Sequence, residues 1–182
     1  MLVINNFLPD EVLKVVQLTV DSWKSSKRLG WTNMSWDPNL QLKSALVFVT
    51  PFDELNSTFE KLFKEKDPSL DNVFINTQFC VWGPGSTIPF HDDHHVKFAA
   101  TVYLNQAWRI EDGGLFIWVN RHTGKLEVIP PTYNMCVINN EQESHHVTNT
   151  SFAPDQMRIT LQIWAFHKNS PEQDNNESFS YR

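Results

Sequence analysis

From Asn72 onward the chain breaks into short runs rich in β-branched and aromatic residues. They are "NVFINTQFCVW", "VKFAATVYLN", "GLFIWV", "KLEVI", "NMCVIN" and "RITLQIWAF". The stretches "GPGS", "EDGG", "RHTGK", "PPTYN" and "TSFAPDQ" separate them. Branched and aromatic side chains suit a pleated, half-buried surface, while clusters of Gly, Pro, Asn and Asp turn the chain. Strands at this spacing, with no helices between them, predict a sandwich or barrel.

The region before residue 72 reads differently. "PDEVLKVVQLTVDSWKSSK" opens with acids and ends with bases, and Val12, Val15, Val16, Val20 and Trp23 recur at helical spacing. That is the pattern of an amphipathic helix aligned with its own dipole. "SALVFVT" reads as a buried strand. "PFDELNSTFEKLFKEK" reads as a second helix with Leu55, Phe59, Leu62 and Phe63 on one face. There is no internal repeat and no Gly/Ser linker. The expected organisation is one domain over residues 1–168, with a helical part at about 8–66 and a β core at about 72–168. The tail 169–182 is polar and acidic and is expected to be mobile.

A net charge of −6 argues against a general nucleic-acid binder, which needs a basic footprint. It leaves room for a local basic pocket. The two cysteines, Cys80 and Cys136, sit in apolar runs and read as core thiols rather than a disulfide framework. No basic end with a long apolar run marks a signal peptide, and no apolar stretch is long enough to span a bilayer. The expectation is a soluble, cytoplasmic protein with no membrane partner.

In "RITLQIWAF" the strand period of two puts Ile159, Leu161, Ile163 and Ala165 on one face and Arg158, Thr160, Gln162 and Trp164 on the other. A sheet covered by helices would use the first face. The second would line a polar cavity, with an arginine turned into it that suits an anion.

"FHDDHHV", Phe90–Val96, holds three histidines and two aspartates in seven residues. Alternation places His91 and Asp93 on one face and Asp92 on the other. One imidazole beside one carboxylate supplies two corners of a 2-His-1-carboxylate site. "ESHHVTN" offers His145 and His146 for the third corner, and geometry alone does not separate them. Such a triad leaves three positions open on Fe(II), enough for a chelating 2-oxo acid and dioxygen. The far carboxylate of 2-oxoglutarate then needs a buried cation, and Arg158 can meet it with two parallel hydrogen bonds. Zinc accepts the same donors. No general base for hydrolysis is evident, and zinc chemistry would leave Arg158 without a role.

These pieces in this order resemble the 2-oxoglutarate/Fe(II)-dependent dioxygenase superfamily, in particular its prolyl 4-hydroxylase-like branch. "NNFLPDEVLKVV" is similar to the family's opening helix. "VWGPGSTIPFHDD" resembles its Tyr-x-Pro-Gly turn followed by His-x-Asp, and "TVYLNQAW" its Tyr-Leu-Asn strand. "EDGGLFIW", "HHVTNT" and "RITLQIWAF" resemble its Gly-Gly strand, its distal His-x-Val and its Arg-led last strand. The likeness covers about residues 3–167. It implies a mainly β (α+β) fold, a double-stranded β-helix or jelly roll with N-terminal helices packed on one sheet.

The resemblance implies that His91, Asp93 and His145 are the iron ligands. His145 is preferred over His146 because it alone fits His-x-Val. It also implies that Arg158 and Tyr103 hold the distal carboxylate of 2-oxoglutarate, with Gln162 on the same face. The implied requirements are Fe(II), 2-oxoglutarate and O2, with ascorbate as an accessory reductant. The implied reaction is hydroxylation of a prolyl residue in a protein or peptide, with release of succinate and CO2. A free amino acid or another small molecule is the alternative substrate.

Trp82 stands where the family's turn often has Tyr; tryptophan donates but cannot accept. The segment "SFAPDQ" lengthens the approach to the last strand. Asp93 occupies the position that halogenating relatives leave small, and the Arg-x-Asn-x-Thr-x-Arg run of nucleic-acid demethylases is missing. A peptide substrate calls for an open groove beside the metal, flanked by the stretch before His91 and by residues 130–134. A non-catalytic jelly-roll binding module is the alternative of another class; it has no need of a complete triad and a facing arginine. His94 and His95 fit no corner of the triad.

Overall fold

The computed structural model describes residues 1–26, 32–34, 45–51, 55–140, 142–151 and 157–168. In chain order these form β1 Leu2–Ile4, α1 Asp10–Ser26, β2 Thr32–Met34, β3 Ala45–Pro51, α2 Asn56–Lys66, β4 Val73–Trp82, β5 Ile88–His91, β6 Phe98–Tyr103, β7 Phe116–Val119, β8 Leu126–Ile129, β9 Cys136–Asn139, β10 His145–Val147 and β11 Arg158–His167. Each of the six apolar runs becomes a strand. The short strands β1, β2, β5 and β10 carry too few residues for periodicity to reveal them.

Two antiparallel sheets result. The major sheet has seven strands in the order β1-β9-β6-β11-β4-β3-β2, and the minor sheet has four, β5-β10-β7-β8. This is the jelly-roll class expected from the sequence. β11 is central: it pairs with β4 along its whole length, Arg158↔Trp82 to His167↔Val73, and with β6 from Thr160↔Tyr103 to Ala165↔Phe98.

The alternation along β11 divides the molecule. Ile159, Leu161, Ile163 and Ala165 join the core beneath the helices, with Val16 and Val20 of α1 and Phe59, Leu62 and Phe63 of α2. Phe63 sits at its centre, 5.1 Å from the Phe7 ring and 4.9 Å from the Phe98 ring. Burying each such ring stabilises the fold by about 1.5–3 kcal/mol. Helix α1 turns slightly differently from the sequence expectation. Val15 is 48% exposed, while Val12 and Leu13 pack on the core. At about 100° per residue the Val12–Val16–Val20 stripe cannot also carry Val15 inward. The side chain of Trp23 lies outside the described residues, as do the tail 169–182 and the inserted residues 152–156.

A second apolar cluster lies between the sheets. It joins Cys80, Trp82, Tyr103 and Val137 of the major sheet to Ile88, Phe116, Trp118 and Val147 of the minor one. Cys80 and Cys136 are free and buried, and burial pushes both thiols far up, so neither ionises near neutrality. No helix among the described residues is long and apolar enough to cross a membrane.

Candidate metal centre

β5 and β10 bring two histidines side by side. His145 pairs with His91 and Val147 with Ile88, so three residue steps on β5 oppose two on β10. This bulge turns Phe90 outward and His91 inward. The His91 and His145 rings end 4.2 Å apart. The chain leaves β5 at His91, and Asp93 folds in below the rings. His91 Nε2 is 3.8 Å from Asp93 Oδ1, and His145 Nε2 is 3.5 Å from Asp93 Oδ2. One ligand atom from each residue falls within 4.8 Å of the others.

The tautomers suit a metal. His145 Nδ1 lies 2.9 Å from the Glu143 carbonyl and His91 Nδ1 2.9 Å from the Pro89 carbonyl. A carbonyl only accepts, so each Nδ1 carries the proton and each Nε2 presents its lone pair. Burial pushes the His145 pKa down against the pull of the Asp93 carboxylate, which keeps the ring neutral. The Phe116 ring stacks on His145 at 4.8 Å and fixes its plane.

His146 points the other way. It pairs with Ile117 and its ring meets Phe90 at 4.4 Å on the outer face of the minor sheet. Three-dimensional structure therefore separates the two histidines where strand alternation alone did not. Asp92 also faces out, 2.5 Å from His94 Nδ1, a contact that holds its carboxyl below the usual range. His94, His95, His122 and His167 are exposed.

The triad opens on a small pocket of about 30 Å³, whose lining includes Thr101, Asn139, Gln162 and Trp164. Gln162 and Trp164 come from the polar face of β11, as the alternation predicts. Gln162 accepts from Thr101 Oγ1 at 2.8 Å and donates to Thr160 Oγ1 at 3.2 Å. Arg158 and Tyr103 lie farther along the same interior face and are not among the residues lining this pocket.

Arg158 is 1% exposed. Its guanidinium carbon lies 5.4 Å from the Trp82 ring and 5.3 Å from the Tyr103 ring. Its Nε and Nη2 have no hydrogen-bond partner among the described residues, nor has the buried Tyr103 hydroxyl. Burial lowers the arginine's pKa and raises that of Tyr103. The buried phenol faces the buried cation, an arrangement that suits an anion held between them. Trp82 turns its Nε1 to Thr160 Oγ1 at 2.9 Å, so its donor is already engaged.

Gly114, in the stretch that reads as a turn and as the Gly-Gly strand, bounds the path of the Arg158 side chain. Its φ is +63°, and a Cβ there would lie 2.8 Å from Arg158 Cδ. Only glycine lets the Arg158 side chain run past this point. Residues 130–134 also differ from expectation. Tyr133 lines a separate groove against Leu13 and Leu18 of α1, and Asn134 brackets the Leu8 backbone. The segment enters β9, whereas the triad lies beside Asn139 at that strand's exit, so it does not flank the candidate metal centre.

Residues 77–166 match the model of the 2OG-Fe(II) oxygenase superfamily. A search of curated proteins by sequence gives no match. By fold the chain resembles a Pseudomonas putida prolyl-4-hydroxylase, with a TM-score of 0.71 at 15% identity and 92% of each chain covered. It also resembles a Trichoplax adhaerens prolyl hydroxylase solved with a hypoxia inducible factor peptide fragment. There the TM-score is 0.69 at 19% identity, covering 100% of this chain and 87% of that one. HygX from Streptomyces hygroscopicus, solved with nickel, 2-oxoglutarate and hygromycin B, gives 0.63 at 12%, covering 92% and 83%.

Proposed function

We propose that this chain, which belongs to the 2OG-Fe(II) oxygenase superfamily over residues 77–166, is a hydroxylase acting on a prolyl residue in a protein or peptide. Fe(II) and 2-oxoglutarate are expected of the family. His91, Asp93 and His145 would hold the metal, and Arg158 with Tyr103 would hold the distal carboxylate of the cosubstrate. The observation that carries the reading is the buried Arg158 guanidinium, whose Nε and Nη2 have no hydrogen-bond partner among the described residues. A buried cation with idle N–H groups is costly unless an anion meets it. A zinc hydrolase or a silent binding module would have no reason to keep it there.

Bound iron and cosubstrate would supply the oxidation, with 2-oxoglutarate and O2 consumed and succinate and CO2 released as the substrate is hydroxylated. The chain's own residues do the rest. The Pro89 and Glu143 carbonyls hold the two imidazoles in the ligating tautomer. Phe116, Ile88, Val137 and Val147 keep the pocket wall dry. Gln162, between the triad and Arg158 on the polar face, would offer its amide to a cosubstrate held there. Prolyl specificity rests on the hydroxylase neighbours and on the sequence resemblance. A small-molecule substrate is the second reading, favoured by the hygromycin B bound in the HygX neighbour.

The test is an anaerobic titration of Fe(II) and 2-oxoglutarate, followed through the visible charge-transfer band of the chelated oxo acid. The band is expected to form, to vanish in His145→Ala, to survive in His146→Ala, and to need far more 2-oxoglutarate in Arg158→Ala. Metal binding without any band would overturn the oxygenase reading. Proline-containing peptides and free amino acids, screened for succinate release, then separate the two substrate classes.

A further inference from the structure

Asn139 takes part in no step proposed so far, yet it touches both sides of the triad. It ends β9, is 3% exposed, and lines the metal pocket. Its Oδ1 accepts the Glu143 backbone N–H at 2.9 Å. A backbone N–H can only donate, so the orientation of this carboxamide is unambiguous and Nδ2 must face the other way. There Nδ2 lies 3.1 Å from the Glu143 carbonyl and 3.4 Å from Asp93 Oδ2. The same Glu143 carbonyl accepts the Nδ1–H of His145. Nδ2 is also 3.2 Å from His145 Nδ1. Both nitrogens are donors, so that approach is a shared convergence on one carbonyl and not a bond between them.

We infer that Asn139 is the positioning residue of the metal centre. It aims two candidate ligands from separate segments of the chain: Asp93 directly, and His145 through the Glu143 carbonyl. The inference rests on the reading of His91, Asp93 and His145 as metal ligands. The contact with Oδ2 limits how the Asp93 carboxylate can turn between the two imidazoles. Clamping residue 143 by both its N–H and its carbonyl fixes the turn from which His145 departs. Partners of this kind, one bond removed from the metal, are worth about 10–100-fold in metal affinity.

The experiment measures Co(II) binding to the whole chain by calorimetry and by the visible spectrum of the bound ion. It compares wild type with Asn139→Ser, Asn139→Ala and His145→Ala, and records melting temperatures of all four without metal. Asn139→Ser leaves an oxygen near the Glu143 N–H but cannot reach Asp93. Expected is wild-type binding, binding about 10–100-fold weaker in both Asn139 variants with an altered Co(II) spectrum, and loss of binding in His145→Ala. Asn139→Ser should melt close to wild type without metal. If wild type binds but the Asn139 variants match it in affinity and spectrum, the inference fails while the metal centre stands. If Asn139→Ser melts far below wild type yet binds Co(II) with an unchanged spectrum, Asn139 is merely structural and the inference fails. If wild type binds no metal, or His145→Ala binds as well as wild type, the metal reading fails and this inference with it.

Discussion

Arg158→Met removes a buried charge and keeps most of the side chain's volume. The guanidinium Nε and Nη2 lack partners among the described residues. An unsatisfied buried donor costs about 1–3 kcal/mol, so the two together cost about 2–6 kcal/mol. Against this stand the contacts with the Trp82 and Tyr103 rings at 5.4 and 5.3 Å. Each is worth about 0.5–2 kcal/mol when desolvated, and methionine keeps part of the packing. The balance favours the variant by about 1–2 kcal/mol, or a melting temperature about 2–8 °C higher at this chain length. Cosubstrate binding moves the opposite way. Losing a paired carboxylate contact of about 3 kcal/mol weakens 2-oxoglutarate by roughly 100-fold or more. Thermal melts with and without metal and 2-oxoglutarate read both effects in one assay. A variant that melts below wild type, or that keeps its cosubstrate-dependent rise, would refute the claim that Arg158 is kept for an absent anion.

Gly114→Ala places a Cβ 2.8 Å from Arg158 Cδ at a φ of +63°; about 1–2 kcal/mol of stability should be lost to the backbone alone, and 2-oxoglutarate titrations should show roughly tenfold weaker binding as Arg158 is displaced. Phe63→Ala, at the centre of the helix-side core, should cost about 3–5 kcal/mol by chemical denaturation while the residual folded protein still binds metal. Metal-free protein should lose stability in two stages on acidification. Burial holds His145 and His146 below the ordinary 6.5, so the unfolded chain takes up protons first and stability falls as pH drops through 6.5. Lys64 with Asp71 and Arg109 with Asp112 hold those carboxyls below 3.8; their contribution is present above 3.8 and is lost as pH falls beneath it. Melting temperature followed from pH 8 to pH 3 should show both descents, and a flat profile above pH 4 would contradict the burial of neutral histidine.

The β runs and both helices were legible because periodicity over many residues averages out local exceptions. Val15 shows where that averaging fails: one extra valine beside a real stripe looks like part of it until the helix is turned. The site was legible to the extent that two-residue alternation holds. It put Arg158, Gln162 and Trp164 on one face; it also grouped His91 with Asp93, although Asp93 lies beyond the end of β5 and reaches the triad through the turn that follows. It could not choose between His145 and His146, because the choice depends on which face of β10 meets β5. The β5 bulge, which decides how His91 pairs, has no sequence signature of its own. Residues 130–134 were misplaced for the same reason. Their turn chemistry was plain, but which end of the roll they close depends on the direction of β9. The roles of Gly114 and Asn139 escaped notice because they exist only through residues far away in sequence.

β11 ties stability to function through one geometric fact. Its odd-numbered residues Ile159, Leu161, Ile163 and Ala165 face the helix-side core, and its even-numbered residues carry the interior of the roll. Because the strand period is two, a slip of one residue would exchange the faces completely. The arginine would be driven among phenylalanines and four apolar side chains into the pocket. No partial version of that error is tolerable, since a charge in the core and an empty cradle in the roll fail together. The long ladder with β4, from Arg158↔Trp82 to His167↔Val73, makes such a slip improbable by requiring every pair to move at once. That ladder sets Trp82 against Arg158, and the ladder with β6 sets Tyr103 against Thr160, without further help from loops. An anion cradle built this way inherits the rigidity of the sheet. The candidate metal centre, assembled at the ends of β5, β9 and β10, depends instead on individual clamps such as the Glu143 carbonyl. Substitutions in the loops around it should therefore change metal affinity well before they change the binding of the distal carboxylate.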